Sequence, residues 1–211
     1  MTPQEKRKEL LGATLVKNLE RRHFEAYYCP TAAEAVEKAI SLIPEGSSIS
    51  WGGSMTIRDM GLTKAVKEKN YHVIDRDTAA NPAEMREMHR QGLLVDYYLT
   101  STNAISEDGI LVNIDGTGNR VASTIYGHKK VYFVVGKNKM APDYDSALWR
   151  ARNIASPMNA KRLNRKTPCA VSGHCHNCNS PDRICCSLNV LWFKPLYSEY
   201  EVVLIEEDMG Y

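Results

Sequence analysis

Residues 95–140 read VDYYLTSTNAISEDGILVNIDGTGNRVASTIYGHKKVYFVVGKNKM, and this stretch decides the fold class. An apolar run at 95–99 gives way to the small polar residues Ser101, Thr102 and Asn103. Glu107-Asp108-Gly109 is a turn signal ahead of the strand-like Ile110-Leu111-Val112. Asp115-Gly116-Thr117-Gly118-Asn119-Arg120 then leads into a short helix, and the β-rich run 131–135 is followed by Gly136, Lys137, Asn138 and Lys139. Apolar strands alternating with polar, glycine-rich turns predict an α/β fold, a layered sheet with flanking helices whose loops carry the chemistry.

The flanking segments fit that architecture. Thr2-Pro3-Gln4-Glu5 reads as a capping box, and Leu11, Leu15 and Leu19 recur on one helix face. Phe24, Ala26 and Tyr28 alternate as a strand would, and Thr31-Ala32-Ala33-Glu34 opens a second helix. A turn at Pro44-Glu45-Gly46 precedes a strand at 48–51, then Gly52-Gly53-Ser54-Met55-Thr56 opens a helix toward Lys69. Such a loop suits an anion, because glycines admit a ligand to the backbone and a helix start offers unpaired N–H groups; a plain tight turn is the alternative. Residues 71–74 predict a strand, and Asn81-Pro82-Ala83-Glu84 caps a helix to about Gly92 that carries His89 in a structural role. Asp143 or Asp145 caps a helix running toward Arg165, whose end collects Arg150, Arg152, Lys161, Arg162, Arg165 and Lys166. The helix dipole accounts for those cations better than a nucleic-acid surface does. Residues 201–205 close the chain as a final strand.

The 211 residues suffice for one well-buried core, and 43% apolar with 25% charged residues is ordinary for a globular chain. A formal charge of +2 gives no push toward nucleic acid or membrane. No run approaches the about 20 apolar residues of a membrane span, and residues 1–15 do not resemble a signal peptide, so a cytoplasmic address is expected. There the six cysteines are expected as reduced thiols or metal ligands rather than disulfides.

Five of those cysteines, Cys169, Cys175, Cys178, Cys185 and Cys186, lie in TPCAVSGHCHNCNSPDRICC with His174 and His176 between them. A polar loop of this kind is no core segment, and thiolates gathered in a loop are the ligands of zinc or of an iron–sulfur cluster. The spacing C-x5-C-x2-C-x6-C-C matches neither the bacterial ferredoxin run nor the common zinc-finger pattern, so both metals stay open, with unmetallated thiols as the third reading. The expected organisation is a main α/β domain at 1–166, a cysteine-rich metal-binding loop at 167–187, and a segment at 188–211 returning to the same domain.

Three stretches, ISWGGSMTIRDMG (49–61), STNAISEDGILVNIDGTGNR (101–120) and KVYFVVGKNK (130–139), resemble the lactate-utilization (LUD) domain family. The resemblance implies a fold like that of the NagB/RpiA/CoA-transferase superfamily. For function it implies a part in an iron–sulfur-containing system that oxidises L-lactate or a related 2-hydroxy acid. It places a ligand crevice at Gly52-Gly53-Ser54 with Thr56, at Asn103 to Gly109, and at Gly116, Gly118, Asn119 and Arg120. Arg120 would pair bidentately with a carboxylate or phosphate, and Lys139 would act as a point charge. Ser106-Glu107-Asp108-Gly109 is similar to the Ser-Glu-Asn-Gly motif in which CoA-transferases use glutamate as a nucleophile; the residue pattern itself also reads as a hairpin turn. The expected partners are a small anionic metabolite (carboxylate, phosphate or acyl-CoA), redox subunits or a second copy of the chain, with no nucleic acid. No Gly-x-Ser-x-Gly elbow, Walker loop or complete dinucleotide fingerprint is present. The rival functions are a CoA-transferase-like or sugar-phosphate-binding enzyme with a structural zinc loop, and a regulatory module that senses an anion.

Overall fold

The structure, a computed structural model, describes residues 2–211 apart from the side chains of Gln4, Glu5 and Lys8. The Glu5 half of the expected capping box therefore lies outside the described residues. Helix α1 (Pro3–Arg21) buries Leu15 and Leu19 completely, as their four-residue spacing predicts. β1 (Glu25–Cys29) leads to α2 (Ala32–Ser41), where the Thr31 hydroxyl accepts from the Glu34 N–H and pairs with its carboxylate at 2.9 Å. β2 (Ser48–Trp51) runs through the glycine pair into α3 (Met55–Asp59). The single helix expected toward Lys69 is two: Gly61, at φ 82°, ends one and starts α4 (Leu62–Lys67).

β3 (His72–Ile74) and α5 (Pro82–Gln91) follow, and Asn81 caps α5 by accepting from the N–H groups of Ala83 and Glu84. β4 (Tyr97–Thr100), the hairpin β5 (Ala104–Ser106) and β6 (Leu111–Asp115), α6 (Asn119–Ser123) and β7 (Lys130–Gly136) realise the deciding stretch. β8 (Met140–Ala141) then precedes α7 (Tyr144–Arg150), capped by Asp143. The long helix expected to reach Arg165 is interrupted by a π-helical turn, Ala151–Ala155, before α8 (Ser156–Arg162). Pro157 has no N–H to give the helical ladder, and the Ser156 hydroxyl donates instead to the Ala151 carbonyl at 2.8 Å. α9 (Pro168–Ser172), β9 (Ser187–Leu191) and β10 (Glu199–Ile205) complete the chain; β9 had no sequence signal of its own.

Six strands form a wholly parallel sheet in the order β1-β10-β7-β4-β2-β3. Both its faces are covered, which is why β7 and β10 read as unbroken apolar runs rather than alternating ones. On one face Ala35, Ala39, Ile57, Leu62 and Val66 pack against Ile49, Tyr132, Val134 and Val203. On the other, Val131, Phe133, Val135, Val202 and Leu204 meet Leu15 and Leu19 of α1 together with Ile105, Leu111 and Leu191. Those last residues belong to a second sheet, β8-β5-β6-β9, whose far side packs on Ala147 and Ala151. The layers are therefore helices, parallel sheet, a mixed layer of α1 and the small sheet, and α7 outermost. Among the described residues no helix is long and apolar enough to cross a membrane.

Candidate anion-binding cavity

The loops that follow β2, β4 and β7 leave the same edge of the parallel sheet, and the loop after β6 turns toward them. They enclose a cavity of about 490 Å3 lined by Ser54, Asn103, Gly116, Asn119, Arg120 and Lys139 among others. Its place at the carboxyl ends of parallel strands is the usual ligand position in an open α/β sheet. Gly52 and Gly53 shape it differently from expectation. A Cβ on Gly52 would lie 2.9 Å from the Arg120 Cδ, and one on Gly53 would lie 2.7 Å from the Arg76 Nη2. The glycines make room for two arginines.

Arg120 is held by protein groups at every terminal N–H. Nη1 donates to the Ser101 carbonyl (3.1 Å) and Asn113 Oδ1 (2.7 Å); Nη2 donates to Asn103 Oδ1 (2.8 Å) and the Ile114 carbonyl (2.7 Å). Its Nε lies 3.5 Å from the Asp115 carboxylate. Asp115 in turn accepts from the N–H groups of Thr117 and Gly118, at 3.0 and 2.9 Å, and so folds the DGTG turn on which α6 starts. Arg120 is thus a latch joining the β4, β6 and α6 segments, and it gives the cavity charge rather than a free bidentate fork.

Lys139 stands at the base. It is 4% exposed, and Nζ donates to Thr56 Oγ1 (2.7 Å) and Ser101 Oγ (2.9 Å). Among the described residues no carboxylate pairs with it. Burial, then the Arg150 and Arg120 guanidiniums, bring its pKa down to about 7. Arg150, which the sequence assigned to a helix end, is instead buried and donates to the carbonyls of Asn103 (2.6 Å) and Asn138 (2.8 Å), fixing both loops.

Around the mouth lie Arg76, His89, Arg162, Arg165 and Arg183. His89 is part of the cavity wall, its Nε2 3.0 Å from Arg76 Nη1; burial, then that guanidinium, keeps its pKa low, so the ring is a neutral acceptor. The aspartates here are already paired: Asp77 with Arg58, Asp115 with Arg120, Asp182 with Arg165. Lys139, Arg162 and Arg183 have no carboxylate partner among the described residues. Arg76, His89 and the 181–184 wall were missed in sequence because nothing local marks them; only the chain's return over the sheet brings them there.

Other expected positions lie apart. Thr56 touches Lys139 from beneath, and Gly118 (φ 90°) starts α6 beside Asn119. Gly109 (φ 91°) is the β5–β6 turn packed against Asn18 and Leu19 of α1. Asn18 and Arg22 bond the carbonyls of Glu107 and Asp108, so the hairpin reading of this motif holds. Glu107 faces a separate cleft with Tyr28 and Lys137.

The cysteine loop ends against the cavity. Cys186 N–H donates to the Asp115 carbonyl at 3.0 Å, and Pro181, Asp182, Arg183 and Ile184 form wall. All six cysteines are free. Arg183 Nε donates to the Cys185 sulfur at 3.2 Å and Nη1 to the Cys178 carbonyl at 2.7 Å. The thiols of Cys185, Cys178 and Cys175 together hold that guanidinium above its ordinary pKa. Asn177, at φ 47°, directs its N–H onto the Cys175 sulfur at 3.4 Å. The donors are soft enough for iron or zinc, but among the described residues no three His, Cys, Asp or Glu side chains converge as a metal cage, and an arginine stands among the thiols.

The fold is similar to that of a DUF162 family protein from Deinococcus radiodurans, at TM-score 0.54 and 12% identity over 94% of this chain and 98% of that one. An eIF2B delta from Chaetomium thermophilum is a slighter likeness, at TM-score 0.36 and 17% identity over 64% of this chain and 54% of that one. No curated protein matches significantly. The LUD domain profile matches residues 13–205, which take in both sheets, the cavity and the cysteine loop, and the chain belongs to the LUD domain family.

Proposed function

We propose that this LUD-domain protein binds a small carboxylate in the cavity and serves the oxidation of lactate or a related 2-hydroxy acid. One observation carries the reading: the cavity's aspartates are all paired, whereas Lys139, Arg162 and Arg183 face it without a carboxylate partner. A cavity with cations in excess gains by taking an anion, and family membership supports a 2-hydroxy or 2-oxo acid. The sequence's alternative occupants, sugar phosphates and acyl-CoA, share that anionic character. Thermal shift and calorimetry with L-lactate, pyruvate, a sugar phosphate and an acyl-CoA discriminate them, since a ligand of the folded state raises Tm. Stabilisation by lactate or pyruvate supports the reading; no response to either sinks it.

An iron–sulfur centre, or zinc in its place, on Cys169, Cys175, Cys178 and Cys185 or Cys186 remains part of the proposal on the chemistry of the donors alone. Such a centre supplies either electron transfer or a structural staple. An incoming metal ion would meet the Arg183 charge. Metal analysis after anaerobic purification decides: stoichiometric iron or zinc supports the centre, and neither removes it.

A further inference from the structure

We infer that Lys139 is an imine-forming lysine: its Nζ condenses with the keto carbon of a 2-oxo acid whose carboxylate is held by the unpaired Arg162 and Arg183 at the cavity. The carboxylate part rests on the function proposed above; the covalent step goes beyond it. The geometry assigns the role. Lys139 lines the cavity yet is buried, has no carboxylate in ion-pair contact, Asp59 opposing the two arginines only weakly, and is braced from two sides by Thr56 and Ser101. A neutral amine that donates both hydrogens to those hydroxyls has one direction left, that of its lone pair. The low pKa, set first by burial and then by Arg150 and Arg120, supplies the neutral form near pH 7. Surface lysines such as Lys161 and Lys166 are exposed and lack such bracing.

The chemistry balances without a redox partner. The Nζ lone pair forms a bond to the keto carbon while the carbonyl π pair moves to oxygen. One amine hydrogen passes to that oxygen, for which the Ser101 and Thr56 hydroxyls are adjacent carriers, and a carbinolamine results. Its C–O bond then breaks, the second amine hydrogen leaves with the oxygen as water, and the C=N bond remains. L-Lactate has the carboxylate but no keto carbon, so it can bind and cannot condense.

The test is reductive trapping of the full-length protein with pyruvate and, separately, 2-oxoglutarate, using cyanoborohydride as hydride donor and peptide mass mapping as readout. Binding of pyruvate and L-lactate is measured in parallel by calorimetry. The expected result is a secondary-amine adduct on Lys139, absent from Lys139→Arg, whose guanidinium keeps the charge and cannot condense. Its rate rises about tenfold between pH 6 and pH 8, as the amine loses its proton through about pH 7. Lys139→Met, which buries no charge and leaves Thr56 and Ser101 their carbonyl acceptors, is the second variant should Lys139→Arg fail to fold. Binding of both acids with adducts absent from Lys139, or found only on surface lysines, overturns the imine and leaves the carboxylate reading standing. Neither binding nor trapping overturns both.

Discussion

At the scale of single residues, the site is set by what each side chain has already spent. Arg120 has no terminal N–H left over, while Lys139 retains charge that no neighbour claims. An anion in the cavity favours protonated Lys139, so its affinity is highest below pH 7 and falls as pH rises through about 7. Calorimetry with L-lactate should show Kd weakening by up to about tenfold from pH 6 to pH 8, with the dependence flattened in Lys139→Met. A pH-independent wild type would contradict the assignment. Stability carries the opposite slope: the unfolded chain binds this proton up to the ordinary lysine range and the folded one releases it near 7, so this group's contribution grows between those limits. Gly52 and Gly53 make a second residue-scale case. Alanine at Gly52 drives a methyl group into the Arg120 stem, which its four hydrogen bonds hold in place, at an expected cost of about 1–3 kcal/mol of stability read from urea midpoints; at Gly53 it meets only the tip of Arg76, which can swing aside, so the loss should be smaller. The sequence showed two glycines beside a helix start; that two arginine side chains fill the space above them depends on residues far along the chain.

At the scale of elements, the legible features were those whose cause lies within a few residues. Thr31, Asn81 and Asp143 cap helices as their identities predict, and the Asp108-Gly109 pair makes its hairpin. The features that were not legible are settled by pairing partners or by local competition. β9 is a half-exposed segment that becomes a strand only because β6 offers it an antiparallel edge, and the α7–α8 helix widens because Pro157 withholds a donor. The Asp115 turn is where local and distant causes meet, since one carboxylate both shapes the start of α6 and faces Arg120. Asp115→Ala removes the acceptor of the turn and leaves a buried guanidinium without its counter-charge, an expected loss of about 3–5 kcal/mol. Asp115→Asn keeps the acceptor for Thr117 and Gly118, so it should lose less. Denaturant midpoints that rank the two variants the other way would show that the side-chain acceptor does not hold this turn.

At the scale of the whole molecule, the parallel sheet is closed in on both faces, and a carboxylate fully buried on β10 must be accounted for. Glu201 of β10 is fully buried, bonded to Lys130 of β7, with Glu25 of β1 alongside and Oε2 left without a partner. Burial raises its pKa, and Lys130 only partly reverses that. Removing Lys130 as Lys130→Met leaves two choices: keep the carboxyl protonated, or bury an unpaired charge. A group whose folded pKa is raised contributes stability that is present at low pH and lost as pH climbs through that pKa. The variant should therefore approach wild type near pH 5 and fall behind by about 3–5 kcal/mol at pH 8, measured as urea-unfolding free energies. Adding Glu201→Gln to Lys130→Met removes the titrating group, so the double variant should show a flat profile over the same range. If Lys130→Met were as stable as wild type at pH 8, the ion pair would not be what lets an acidic residue occupy a buried position in the sheet. The unbroken apolar runs of β7 and β10 reported only that both faces are covered; the pairing across them is a property of the assembled strands.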